Sequence, residues 1–169
     1  YLSEPKARSR AGGHFFMSED VADPTNNGAV LNTAQIIKAV MSSAAEAELG
    51  AMFINAREAV PARITLEELG HKQPKTPMKI DNSTAAGVVN NNIQPRRTKA
   101  MDMRFHWLRC RKNQKQFRTY WRAGPTNNGD YVNHTSVRST YLTSMKRLAE
   151  FRRRAAEAIT RVKLSARVC

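Results

Sequence analysis

Cysteine is almost absent from this chain of 169 residues, which holds only Cys110 and Cys169. Two thiols so far apart have neither the spacing of a metal-ligand pair nor the number that a disulfide framework needs. We therefore expect neither a structural zinc site nor a disulfide-stabilised secreted fold. The cysteine pattern favours an intracellular, reducing compartment.

Long apolar runs are also missing. No run reaches the roughly 18 to 20 residues that a helix needs to span a bilayer. The first residues match neither a secretory signal nor a transit peptide. The sequence therefore predicts no membrane partner.

Acidic residues are scarce in the second part of the chain. Residues 96–169 hold 19 Lys and Arg against four Asp and Glu, whereas residues 1–95 hold nine against ten. A strongly basic part beside a neutral part is typical of proteins that bind polyanions. We expect a nucleic acid as the partner, bound by one domain with a hydrophobic core and an appended segment.

The first 41 residues predict an antiparallel meander. Apolar runs cover 14–17, 29–34 and 36–41, and the last two are rich in Val and Ile. Asn27-Gly28 is a hairpin signal between the first two runs.

A helix is predicted after this meander. Ser43 is a favoured N-cap and Glu46 follows it at capping-box spacing, so Glu46 is expected to stabilise the start of the helix. Apolar residues recur at helical spacing up to Val60. Pro61 is expected to end or kink the helix, and a second short helix is predicted over 64–69.

The next feature is a short apolar strand that ends at an acid. The strand leads into Asp81-Asn82, and a helix of small residues is predicted over 83–89. In an open α/β sheet, ligands bind where strands end and helices begin. Asp81 is therefore the first candidate for a catalytic residue.

Basic segments dominate the remainder. Residues 101–111 predict an amphipathic helix, and 116–122 predict a strand that alternates aromatic and basic residues. Residues 143–169 predict a basic amphipathic helix, which either docks on the domain or packs on another protein. The residues expected to contact phosphates are Arg96, Arg97, Lys99, Arg104, Arg111, Arg118, Arg122, Arg152, Arg153 and Arg154.

Six short motifs occur in a fixed order along the chain. They are Lys6-Ala7-Arg8-Ser9-Arg10-Ala11-Gly12-Gly13, Ser42-Ser43, Glu46-Ala47-Glu48, Asp81-Asn82, Arg97-Thr98-Lys99 and Asp102-Met103-Arg104-Phe105-His106. In these motifs the chain resembles the RNase H domain of copia-type retrotransposon polyproteins, over roughly residues 1–142. Ala44-Ala45 departs from the family's usual Thr-Glu, and Gly129 replaces the usual Ala before Asp130.

The resemblance implies a fold and an activity. The fold would be an α/β (α+β) mixed sheet with an antiparallel N-terminal meander and flanking helices, to which the basic C-terminal helix is appended. Glu48, Asp81 and Asp130 would be the catalytic carboxylates and would hold Mg²⁺. Two such ions would support hydrolysis of the RNA strand in RNA–DNA hybrids. For Asp130, exposed helix capping is an equal alternative.

The absence of one family residue from this chain leaves more than one functional hypothesis open. The family's first catalytic Asp precedes the position of Tyr1, so we expect this chain alone to bind metal poorly. The first hypothesis is a retroelement RNase H domain that is active in its full-length context. The second is a non-catalytic RNase H-like module that binds structured RNA or neighbouring proteins in a ribonucleoprotein. A third is a generic basic domain whose motif matches arise by chance.

Overall fold

The computed structural model describes residues 8–22, 24, 27–91, 102–123 and 163–168. Within these residues no helix is long and apolar enough to cross a membrane. The elements, in chain order, are β1 (Arg10–Ser18), β2 (Ala29–Ile36), α1 (Ala44–Glu68), β3 (Thr76–Ile80), α2 (Ser83–Val89), α3 (Asp102–Asn113), β4 (Phe117–Trp121) and β5 (Lys163–Val168).

The five strands form one mixed sheet in the order β2-β1-β5-β3-β4. β1 is antiparallel to both β2 and β5, whereas β3 is parallel to both β4 and β5. The predicted mixed α/β architecture is confirmed, and it is consistent with an RNase H-like α+β fold. The predicted helices over 83–89 and 101–111 and the predicted strand over 116–122 correspond to α2, α3 and β4.

The prediction of a C-terminal helix over 143–169 is wrong for residues 163–168, which form β5 in the middle of the sheet. Buried Ala166 pairs with Phe15 of β1 on one side and with Met78 of β3 on the other. Among the described strands, β5 alone joins the β1–β2 hairpin to the β3–β4 pair.

Two smaller predictions are also corrected. Two strands were predicted over 29–34 and 36–41, but the structure has one, β2, which ends at Ile36. Residues 37–41 lie outside the sheet. Ile37 and Met41 lie buried beside Gly50 of α1 instead. α1 continues through Pro61 to Glu68 as a single helix, so Pro61 does not end it.

α1 lies directly on β1 because a buried side chain connects them. The Asn55 Nδ2 atom donates to the carbonyls of Gly12 (2.8 Å) and Ala51 (2.9 Å), and the Thr33 hydroxyl donates to its Oδ1 atom (2.7 Å). A Cβ atom at Gly13 would lie 1.8 Å from that Oδ1 atom. Glycine is thus required where the helix approaches the strand.

The second half of α1 is joined to the start of β3 by buried Arg63. Its guanidinium donates to the carbonyls of Pro74 and Gln73 and to the Thr76 hydroxyl, and it forms an ion pair with Glu67. Burial lowers the pKa of Arg63, and the charge of Glu67 opposes that shift. These bonds satisfy carbonyls that lie outside the regular ladders.

The core lies between the three helices and the sheet. Each helix packs on the other two. The larger buried side chains of the core include Phe15, Ile37, Met41, Leu49, Met52, Met78, Ile80, Phe105, Leu108 and Phe117.

Candidate functional site

Asp81 is held at the end of a strand that is buried on both sides. All five residues of β3 are buried, and Asp81 is the first partly exposed residue after them. The Trp121 indole donates to the Asp81 carbonyl (2.7 Å), and the Asn82 side chain accepts from the Ala85 amide (3.0 Å) as the N-cap of α2. The position of the Asp81 backbone is therefore fixed from the strand side and from the helix side.

Glu46 and Glu48 have different environments at the start of α1. The Ser43 hydroxyl accepts from the Glu46 amide (3.2 Å), while the Glu46 carboxylate accepts from the Ser42 amide (2.8 Å) and hydroxyl (2.6 Å). Glu46 thus has the stabilising role predicted for it. Glu48 is partly buried with its Oε2 atom inaccessible to water, which places it toward the protein interior.

The topology brings the elements that carry Glu48 and Asp81 to one edge of the sheet. The last residues of β3 and β5 lie side by side, and the end of β5 pairs with the start of β1. β1 in turn starts opposite Ile36, where β2 ends, and α1 begins at Ala44 a short loop later. The end of β3 and the start of α1 therefore share an edge. That the two carboxylates act together stays a prediction.

The described residues do not complete a metal site by themselves. Within them, no group of three or more His, Cys, Asp or Glu side chains could hold a metal ion. β5 lies between β1 and β3, and its sequence contains no Asp or Glu. We therefore derive no catalytic step from Glu48 and Asp81 alone.

Of the arginines expected to contact phosphate, Arg118 lies on β4 and Arg122 directly follows that strand. The Arg118 guanidinium donates to the carbonyls of Val21 (3.0 Å) and Ala22 (2.7 Å), so it fixes the segment after β1. Arg118 and Arg122 both lie near the Tyr120 ring, at 5.8 and 5.7 Å from its centre. Arg118 consequently has a structural contact as well as its predicted role.

Two others, Arg104 and Arg111, lie on α3. Arg104 lies over the Phe53 ring and Arg111 over the Trp107 ring. Arg57, which is not among the predicted phosphate contacts, also lies over Phe53. The helical i, i+4 spacing of Phe53 and Arg57 is a signal that could have identified this pair.

The remaining predicted site residues lie outside the described part of the chain. This group contains the third catalytic candidate, Asp130, and six basic residues, so the structure does not address these predictions. The six are Arg96, Arg97, Lys99, Arg152, Arg153 and Arg154.

Part of the chain is similar to a transposon polyprotein. The retrovirus-related Pol polyprotein from transposon TNT 1-94 of Nicotiana tabacum is 31% identical over 84 residues, which is 50% of this chain. The aligned segment is only 6% of that polyprotein. No protein-family model and no solved structure matches the chain. The similarity supports a retrotransposon Pol region, without specifying its RNase H domain.

Proposed function

We propose that the chain is an RNase H-like, nucleic-acid-binding domain of a retroelement Pol protein. The observation that carries the proposal is the shared sheet edge, where Asp81 ends β3 and α1, the helix of Glu48, begins. Similarity to a transposon Pol polyprotein supports the same origin. The large excess of cations supports a polyanionic ligand.

The activity implied for the full-length context is hydrolysis of the RNA strand of RNA–DNA hybrids. Glu48, Asp81 and Asp130 are the carboxylates proposed for it. Carboxylate oxygens are the ligands that Mg²⁺ prefers, and bound Mg²⁺ would supply water activation and stabilisation of the leaving oxygen.

A second candidate function has its own support. β5 lies in the centre of the sheet, between β1 and β3, and its sequence contains no acid. Residues 96–169 hold 19 Lys and Arg against four Asp and Glu, and such an excess of positive charge suits phosphate binding better than cation binding. The chain would then be a non-catalytic module that binds RNA within a ribonucleoprotein.

A cleavage assay distinguishes the two candidates. A labelled RNA–DNA hybrid is incubated in Mg²⁺ with this chain and with a longer product of the same reading frame. The enzyme proposal expects cleavage by the longer product, reduced at least about 100-fold by Asp81→Asn, since removing an essential charged group costs several kcal/mol. Asp20→Asn, an exposed acid near the end of β1, is the matched control and should retain activity.

Binding without cleavage would support the non-catalytic module. If neither protein cleaves the hybrid while both bind it, hydrolysis is excluded and the binding module remains. If neither protein binds the hybrid or structured RNA, both candidate functions are contradicted.

A further inference from the structure

Three guanidinium groups gather on two aromatic rings where α1 packs on α3. The Phe53 and Trp107 rings meet edge to face, with centres 5.3 Å apart. The guanidinium carbons of Arg57 and Arg104 lie 5.9 and 5.7 Å from the centre of Phe53, and that of Arg111 lies 5.0 Å from the centre of Trp107. We call these five residues the arginine–aromatic patch.

The rings stabilise a concentration of like charges. The face of an aromatic ring attracts cations, by about 0.5–1 kcal/mol at exposed sites. Phe53 and Trp107 are each partly buried, so they are fixed in the helix interface while the arginines extend over them. A guanidinium that lies over a ring face can direct N–H groups away from the ring toward oxygen acceptors, as Arg111 does toward the side-chain oxygen of Gln114 (3.4 Å).

The charges around the patch are mainly positive. After Asp102, α3 contains no acid. Glu58 follows Arg57 on α1, but adjacent residues of a helix do not face each other. Neither Arg57 nor Arg111 forms an ion pair in the part of the chain that the structure describes.

We propose that the arginine–aromatic patch binds the phosphate backbone of nucleic acid. Guanidinium groups hold phosphate oxygens through paired hydrogen bonds. Because the arginines lie over the rings, the patch contacts phosphates and does not stack bases, so it has no base preference. This inference takes its class of ligand, nucleic acid, from the proposed function and rests on it in that respect alone.

The patch is separate from the edge that carries Asp81 and the start of α1. Phe53 and Arg57 lie five and nine residues beyond Glu48, which is about 7 and 14 Å further along the helix axis. A nucleic-acid strand bound at the patch would thus contact a surface that is separate from the carboxylates. The patch adds affinity and orientation without taking part in cleavage.

The test is the salt dependence of hybrid binding, measured by fluorescence anisotropy on a labelled RNA–DNA hybrid. Arg57→Gln combined with Arg111→Gln removes two patch charges. Each lost phosphate contact lowers the slope of log affinity against log salt by about one, so a decrease of about two is expected, with affinity at least about tenfold weaker at low salt.

A matched control removes two charges elsewhere. Lys72 and Lys75 are exposed between α1 and β3, and Lys72→Gln with Lys75→Gln should leave the slope almost unchanged. Thermal melting of both double variants, monitored by circular dichroism, establishes that each is folded. Equal slopes for the patch and control variants would overturn the proposal.

A second readout reports on the patch directly. The chain has two tryptophans, so Trp121→Phe leaves Trp107 as the single indole reporter. The hybrid should change the Trp107 emission at low salt, and high salt should reverse the change. If the hybrid binds while the patch variant keeps the wild-type slope of log affinity against log salt and Trp107 emission does not change, that result contradicts binding at the patch but leaves the proposed function standing. Failure of the wild-type chain to bind any nucleic acid contradicts the proposed function as well.

Discussion

Asn55 shows how one polar side chain fixes a helix on a sheet. It is fully buried, and three hydrogen bonds satisfy its amide, two of them to residues of β1 and β2. A buried amide without such partners costs about 1–3 kcal/mol. The bonds are made only when α1 lies close to β1, so they favour this one arrangement of helix and strand.

Gly13→Ala should therefore destabilise the protein. The new Cβ atom would collide with the Asn55 Oδ1 atom and would lie 2.6 Å from the Thr33 hydroxyl. Moving either group breaks their hydrogen bond, and the expected loss in the free energy of unfolding is about 2–4 kcal/mol. Urea unfolding followed by circular dichroism measures this loss.

Gly50→Ala is the matched control for that substitution. The Met41 Cε atom is the nearest contact, at 3.1 Å, and it is the end of a flexible side chain. Alanine also favours the helix over glycine by about 1 kcal/mol. Stability should stay within about 1 kcal/mol of the wild type. A Gly13→Ala protein as stable as the Gly50→Ala protein would contradict the close contact of α1 with β1.

Residue-scale features were predictable where the determinants are local. The Ser43 cap and the role of Glu46 follow from a spacing of three residues, and the structure contains both. The role of Asn55 was not predictable, because its partners lie 22 and 43 positions away in the chain. The position of Asp81 at a strand end was predicted, whereas its partnership with Glu48 stays a prediction.

At the scale of elements, Pro61 lies inside the long helix α1 although proline disfavours a helix interior. Proline has no amide hydrogen, and its ring crowds the carbonyl of the preceding turn, so a helix usually ends there. α1 continues because its buried residues on both sides of Pro61, among them Ala59 and Arg63, remain packed in the structure. Tertiary packing outweighs the local preference.

Pro61→Ala should stabilise the protein. Pro61 is exposed, so the substitution restores a helix hydrogen bond and costs little packing. The expected gain is about 1–3 kcal/mol in the free energy of unfolding, again measured in urea. Glu68→Ala in the last turn should change stability by less than about 0.5 kcal/mol. A loss of stability in the Pro61→Ala protein would mean that the helix needs the proline at that position.

β5 shows why an element can be misread from sequence. Residues 163–168 alternate polar and apolar side chains, a period of two that is typical of a strand. The preceding residues carry a helical pattern, and extending that pattern to the end of the chain concealed the change of period. Six residues are too few to decide between a helix and a strand from sequence alone. In the structure the segment pairs with both β1 and β3, which favours the strand.

At the scale of the whole molecule, a central strand from the end of the chain holds the sheet together. β1 and β2 pair early in the sequence, and β3 and β4 pair later, and among the described strands only β5 pairs with a member of each. The shared edge of β3 and α1 depends on this connection. The class of fold was predicted from the resemblance to copia-type RNase H domains, and local periodicity predicted α2, α3 and β4, but periodicity does not specify the order of strands.

Amide hydrogen exchange of β5 tests this account most directly. Central strands exchange mainly through global unfolding, whereas edge strands open locally. The amides of Ser165, Ala166 and Arg167 should exchange about as slowly as those in the middle of β1, and far more slowly than those of edge strand β2. Rapid exchange in residues 163–168, with β3 and β4 still protected, would show that β5 is not the central strand and would contradict the shared edge.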